Sequence, residues 1–145
     1  MRFVDLADGG RRLAPLLADR LQPGAVVVSV GAGGRVTGSA VADALGIEVT
    51  HLETRRDAEG VRVLVVGVDL AGRDVVVVDD GVETGTAALA AALALREAGA
   101  VSVVLAVPVC PRDAESRLLP AYDEVVALLR PLEGGSLRRH YETFA

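Results

Sequence analysis

Four β-branched residues, Val75–Val78, run without interruption into two adjacent carboxylates, Asp79 and Asp80. A continuous apolar run with no alternation predicts a strand buried on both faces, as in a parallel sheet. Similar runs at Ala25–Val30, Ser102–Val107 and Asp123–Leu128 predict further core strands, and Ile47–Leu52 and Val61–Val68 predict two more. Between them the period changes to that of a helix. Leu13, Leu16, Leu17 and Leu21 share one face of a first helix, which Gln22-Pro23-Gly24 ends. Val36, Ala40, Val41, Ala44 and Leu45 mark a second, stopped by Gly46, after a Gly31–Gly34 turn. Thr84–Ala98 reads as a third, apolar on nearly all sides until Arg96-Glu97 and closed by Gly99. Asp113–Leu119 reads as a short fourth, with Asp113 as its N-cap. Arg55–Gly60 reads as a polar turn. The eight residues between Leu52 and Val61 are too few for a crossover helix, so those two strands are expected to be antiparallel. Pro108-Val109-Cys110-Pro111 reads as a stiff loop and Arg130–Ala145 as a tail. Strands alternating with helices predict an α/β fold built on a parallel sheet, one domain over residues 1–145.

The carboxyl end of a parallel strand is where open α/β sheets place ligands, and Asp79 and Asp80 stand there. The loop after them, Gly81-Val82-Glu83-Thr84-Gly85-Thr86, opens a helix. Free N–H groups and the helix dipole attract an anion at such a start, two threonine hydroxyls add donors, and Gly85 lets the backbone come close. One loop thus offers carboxylates for hydroxyls or Mg²⁺ and, a few residues on, a phosphate cradle over Val82, Glu83, Thr84, Gly85, Thr86, Ala87 and Ala88. A sugar phosphate satisfies both ends. The bland alternative is a strand–loop–helix whose acids only cap the helix.

The composition narrows the field. Hydrophobic residues make up 51% of the chain and aromatics 3%, so Val, Leu and Ala form the core. A net charge of −5, with no basic cluster larger than a pair such as Arg55-Arg56, argues against a nucleic-acid surface. One cysteine allows no internal disulfide, and no apolar run nears the ~20 residues of a membrane span; a cytoplasmic setting is expected. All 15 Lys+Arg residues are Arg, which excludes a Walker A loop and a Schiff-base lysine. Cys110 reads as a small buried thiol, His51 and His140 as packing or solvent residues, and Tyr141 with Phe144 as the anchor of a terminus.

Val75–Ala88 resembles the motif that binds phosphoribosyl pyrophosphate (PRPP) in type I phosphoribosyltransferases: an apolar strand, two acids, then Thr-Gly with small or hydroxyl residues. Ala106-Val107-Pro108-Val109 and His140-Tyr141-Glu142-Thr143-Phe144 also resemble a bacterial group within that family. The resemblance implies a Rossmann-like core of strand order 3-2-1-4-5 with a short hood. It implies that Asp79 and Asp80 hold the ribose hydroxyls, directly or through Mg²⁺, and that Val82–Ala88 wraps the 5′-phosphate. Ala32, Gly33, Gly34 and Arg35 would meet the pyrophosphate. Glu83 stands where a general base would face the reacting carbon, or is a helix-start carboxylate. The group carries Pro-Arg where this chain has Gly31-Ala32, so the cation there is missing; Arg35, Arg55 or Arg56 are the candidates to replace it. The implied activity is transfer of phosphoribose from PRPP to a nitrogenous acceptor with release of pyrophosphate. The alternatives are a PRPP- or nucleotide-binding module of the same fold without turnover, and a different enzyme acting on a sugar phosphate. The apolar third helix adds the expectation of a homodimer.

Overall fold

A computed structural model describes residues 1–144. Six strands form one sheet: β1 Val26–Val30, β2 Val49–Asp57, β3 Gly60–Leu64, β4 Asp74–Val78, β5 Ser102–Val109 and β6 Glu124–Leu129, in the order β3-β2-β1-β4-β5-β6. The expected 3-2-1-4-5 run is there, extended by β6. All neighbours pair in parallel except β2 and β3, which form the expected antiparallel ribbon.

The valine runs explain the layering. Successive side chains on a strand point to opposite faces. Val26, Val28 and Val30 join Val75, Val77, Ala91, Ala92 and Leu95 in one core, under α3 Thr86–Glu97 and α4 Arg112–Leu118. Val27, Val76 and Val78 join Leu13, Leu17, Val41 and Ala42 in a second core, under α1 Leu6–Leu17 and α2 Gly31–Leu45. A third cluster of Phe3, Leu6, Val109, Leu137 and Tyr141 covers the ligand edge. There the first residues and the tail lie side by side: the Phe3 N–H donates to His140 O (2.8 Å), and the Glu142 N–H donates to Phe3 O (2.8 Å). This is the short hood. Among the described residues, no helix is long and apolar enough to cross a membrane.

Several boundaries differ from the sequence reading. No separate turn precedes α2; β1 runs straight into it, and Gly31, at φ 78°, makes the bend. Arg55 and Arg56 belong to β2, because backbone pairing with β3 continues to Asp57↔Gly60 although no apolar alternation marks it. The segment from Val65 to Val68 lies beyond β3. β5 continues through Pro108 to Val109. The helix α3 starts at Thr86, with Gly85 (φ 91°) as N-cap, so Thr84 lies outside it. Pro111, not Asp113, caps α4; the Asp113 carboxylate accepts from the Ala114 N–H instead. Leu21 lies beyond α1, whose start is fixed by Asp5 accepting the Asp8 N–H at 2.8 Å.

Candidate functional site

Chain order reverses at β1. The chain leaves β1 toward β2 and β3, then returns to place β4 on the other side. The crevice between β1 and β4 is therefore the switch point where ligands bind such sheets. β4 delivers Asp79 and Asp80 to its rim, and β1 delivers the first turn of α2.

The two acids are half-buried, and the Asp80 N–H donates to Asp79 Oδ1 at 2.7 Å. Burial, then the charge of Asp80, holds the Asp79 carboxyl well above its ordinary range. Burial also raises Asp80, with Glu83 adding to it. The reason for the crowding is α2. A Cβ on Gly33 would lie 2.8 Å from Asp80 Cγ, and one on Gly34 would lie 2.9 Å from Asp79 Oδ1. Gly33 and Gly34 thus let a helix start seat itself directly against both carboxylates. The sequence reading of this stretch as an anion-binding turn did not foresee that role.

A cleft of about 460 Å³ runs along the acids, lined by Asp79–Ala88, Arg56, Leu137 and Phe144. Its floor is the predicted cradle with one subtraction. Val82 is buried and its N–H donates to Val109 O at 2.9 Å, so that amide is occupied. The first amide of α3 that bonds back along the helix is Leu89, to Gly85 O. The N–H groups of Thr86, Ala87 and Ala88 before it have no intrahelical carbonyl to meet. The only side chain that reaches the start of α3 among the described residues is Thr84, whose hydroxyl accepts a long bond from the Thr86 N–H (3.5 Å); neither Asp79 nor Asp80 caps it. The hydroxyls of Thr84 and Thr86 are 3.2 Å apart over this start. Arg117 holds the loop from behind, donating to Thr84 O at 2.9 Å. Glu83 is exposed on the rim, outside the helix, so it is not a helix-start carboxylate.

The strand–acid–cradle geometry, on the switch point of this sheet, is matched by a sequence family. The phosphoribosyl transferase domain model covers residues 19–132. The chain belongs to the phosphoribosyl transferase family. It is 41% identical over 93 residues to a Mycobacterium tuberculosis protein named putative phosphoribosyl transferase. That match takes in 64% of this chain and 21% of the relative, so the chain spans about a fifth of that protein's length. It is 34% identical over 120 residues to a ribose-phosphate pyrophosphokinase of Methanopyrus kandleri, covering 79% of this chain and 41% of the relative. The crystal structure of TT1426 from Thermus thermophilus superposes with a TM-score of 0.87 at 27% identity, over 100% of this chain and 92% of that one. An adenine phosphoribosyltransferase from Thermoanaerobacter pseudethanolicus shares the fold at a TM-score of 0.70 and 19% identity, over 84% and 77% of the two chains.

The phosphoribosyl transferase cleft also draws on residues that pattern reading set aside. Tyr141 and Phe144 do anchor the terminus, with ring centroids 5.3 Å apart and Phe3 a further 5.3 Å from Tyr141. Yet Phe144 also walls the cleft, and the buried Tyr141 hydroxyl donates to Asp80 O at 2.5 Å. Removing that donor leaves a buried carbonyl without it, which costs about 1–3 kcal/mol. Tyr141→Phe is therefore expected to melt lower than the wild type by several degrees and to bind ligand more weakly; a thermal scan unchanged within a degree contradicts this.

Of the three arginines that the sequence offered in place of a cation at Ala32, only Arg56 lines the cleft. Arg35 sits on α2 one turn before Ser39, and its charge helps hold His51 below its usual range, after burial. His51 is a packing residue: its Nδ1 is 2.5 Å from the Ser29 hydroxyl. Ala32, Gly33 and Gly34 stand in the first turn of α2 and Arg35 just after it, and none is among the residues lining the cleft. Cys110 is fully buried, and burial pushes its thiol up to about 11, as an inert core residue requires.

Proposed function

We propose that the protein binds PRPP with Mg²⁺ and transfers its phosphoribosyl group to a nitrogenous acceptor, releasing pyrophosphate. One observation carries the reading: a single cleft holds paired carboxylates and, a short loop away, a helix start that no carboxylate caps. Asp79 and Asp80 would accept from the ribose hydroxyls, and the amides of Thr86–Ala88 with the threonine hydroxyls would take the 5′-phosphate. The amides at Gly33 and Gly34 open α2 beside the acids and would meet the pyrophosphate.

The acids suit Mg²⁺ as well. That ion takes one or two carboxylates and fills its remaining positions with phosphate oxygens and water. Asp79 and Asp80 are two carboxylates that burial disfavours as anions, and among the described residues no third ligand-type side chain gathers with them. When bound there, Mg²⁺ would neutralise charge on the pyrophosphate. The remaining work is positioning and charge stabilisation by the chain. Glu83, exposed on the rim, would accept the acceptor's proton. Leu137 and Phe144 supply an apolar wall on which a planar base would rest. A Trypanosoma brucei adenine phosphoribosyl transferase of the same fold is described with AMP, pyrophosphate and ribose-5-phosphate, the three parts this cleft would hold.

The lack of any cationic side chain across Gly31–Gly34 favours a second reading, a PRPP- or nucleotide-binding module without turnover. The deciding assay is PRPP-dependent pyrophosphate release over a panel of purines, pyrimidines and amines, in wild type and Ala32→Arg. Release by the wild type with one acceptor supports the transferase. Binding without release, with release gained in Ala32→Arg, supports the module. In either case Asp80→Asn should weaken PRPP by roughly 10- to 100-fold, the loss of a charge-assisted hydrogen bond, with no fall in melting temperature. A wild type that binds neither PRPP nor any nucleotide rejects both. The proposal extends to a homodimer: the apolar helix α3 leaves Leu89 and Leu93 exposed one turn apart, a face that a second subunit would cover. Light scattering at micromolar concentration should give twice 15.0 kDa.

A further inference from the structure

We propose that Tyr122 is a positioning residue for the phosphate grip: on the reading of the cleft as a PRPP site, its hydroxyl stays outside that cleft and strengthens the cradle from behind.

The chain has two tyrosines, and both are buried. Tyr141 holds the acid side of the cleft, through Asp80 O. Tyr122, between α4 and β6, holds the other side: its hydroxyl donates to Ala88 O at 2.6 Å. Ala88 lies in the first turn of α3 and lines the cleft, whereas Tyr122 does not. Packing alone does not call for this bond. Ala88 O already accepts an N–H from the next turn of the helix ladder. A phenylalanine in place of Tyr122 would fill the same space and leave no carbonyl unpaired. Burial, then the charge of Asp79, holds the phenol well above its ordinary range, so it stays protonated and serves as a donor.

The effect of the bond follows from what the carbonyl is joined to. The C=O and N–H of one peptide are two ends of one dipole, and a hydrogen bond at one end strengthens the other. The Ala88 carbonyl shares its peptide with the Leu89 N–H, which donates to Gly85 O at 2.9 Å. The Gly85 carbonyl shares its peptide with the Thr86 N–H, one of the amides that would take the 5′-phosphate. That N–H makes a long 3.5 Å contact with the Thr84 hydroxyl. Two peptides in series thus link the Tyr122 hydroxyl to a donor of the cradle.

The neighbours of Tyr122 brace the same loop. The Tyr122 N–H donates to Leu118 O at 3.2 Å, at the end of α4. A Cβ on Gly85 would lie 3.5 Å from Leu118, so that side chain backs the N-cap of α3. Arg117 donates to Thr84 O. One short stretch, 117–122, meets Thr84, Gly85 and Ala88, and none of its residues lines the cleft.

Titration calorimetry on the full chain with Mg²⁺ present tests this with three probes. PRPP and ribose 5-phosphate carry the 5′-phosphate; pyrophosphate does not. Tyr122→Phe should weaken PRPP and ribose 5-phosphate by one factor, roughly 2- to 10-fold, the worth of one hydrogen bond, and leave pyrophosphate unchanged. A monofluorinated tyrosine placed at that position alone has a more acidic phenol and is a stronger donor, so it should bind ribose 5-phosphate more tightly than the wild type. A purely structural role does not follow phenol acidity, and the fluorinated chain gives the answer even where Tyr122→Phe melts low. A fluorinated chain that gains nothing, a Tyr122→Phe that loses nothing, or equal losses for all three probes overturns the role of Tyr122 and leaves the PRPP site standing. A wild type that binds none of the three removes the site itself.

Discussion

Gly33→Ala should abolish most ligand binding while leaving the fold intact, and Gly34→Ala, one residue on, should damage both. The difference lies in what each new methyl would strike. At Gly33 the three nearest atoms all belong to the Asp80 side chain, with Cγ at 2.8 Å and Cβ at 3.1 Å. A side chain can rotate away. Doing so takes a carboxylate out of the cleft, and binding should fall by roughly 10- to 100-fold, as for Asp80→Asn. The helix itself gains, since alanine is favoured over glycine by about 1 kcal/mol in a helix. At Gly34 the methyl would meet backbone as well: Asp79 Cα and Val78 O at 3.2 Å each. β4 cannot move aside, because it is hydrogen-bonded between β1 and β5. Overpacking of this kind costs roughly 1–3 kcal/mol, partly offset by helix propensity. Calorimetry for PRPP and a thermal scan on the two variants decide the matter. Wild-type affinity in Gly33→Ala, or an unshifted melting temperature together with wild-type affinity in Gly34→Ala, refutes the close-packing account.

The glycines also mark where the sequence was legible and where it was not. Val75–Val78 with Asp79-Asp80 could be read directly, because a buried parallel strand imposes an unbroken apolar run and a turn must follow it. The place of the cradle beside the acids followed from the same logic. The start of α2 could not be read so. A Gly-rich stretch is compatible with a turn, and only the close approach of Asp79 and Asp80, residues 45 or more positions away in the chain, explains why a helix starts there. β2 was cut short for a related reason. Its last residues, Glu53–Asp57, pair only with β3 and carry no apolar face, so the ladder is set by backbone hydrogen bonds that periodicity does not report. Pro108 argued for a loop because it lacks an N–H donor. β5 carries it without loss, since its pairing with β4 ends at Ala106 and only the β6 side continues. The wall formed by Leu137 and Phe144 was invisible for a different reason: a tail with little periodicity gains its place through Tyr141 and the first residues of the chain.

The remaining prediction concerns pH. Asp79 and Asp80 hold their protons more tightly in the folded chain than their ordinary value of 3.8 allows. Their contribution to stability is therefore fully present below that value and is lost as pH rises through the raised folded values, because the folded state then binds more protons than the unfolded one. Asp8 acts in the opposite sense. The Val4 N–H and Arg12 hold its carboxyl low, so its contribution is present at neutral pH and is lost in acid. The two effects separate in a variant. Asp79→Asn keeps an acceptor for the Asp80 N–H but cannot ionise, so its melting temperature should pull above that of the wild type as pH rises from about 4 toward neutrality. Relief of an uncompensated half-buried charge is worth about 1–3 kcal/mol, or roughly 2–4 °C per kcal/mol for a chain near this size. The same variant should lose PRPP binding, since a neutral amide neither attracts Mg²⁺ nor accepts as strongly from a hydroxyl. In the wild type, PRPP with Mg²⁺ should reverse the pH trend and release protons on binding, measurable as a buffer-dependent heat. A constant gap between the two melting curves at every pH, with no proton release, would show that Asp79 is already ionised and paired in the free protein, and the account of its burial would fall.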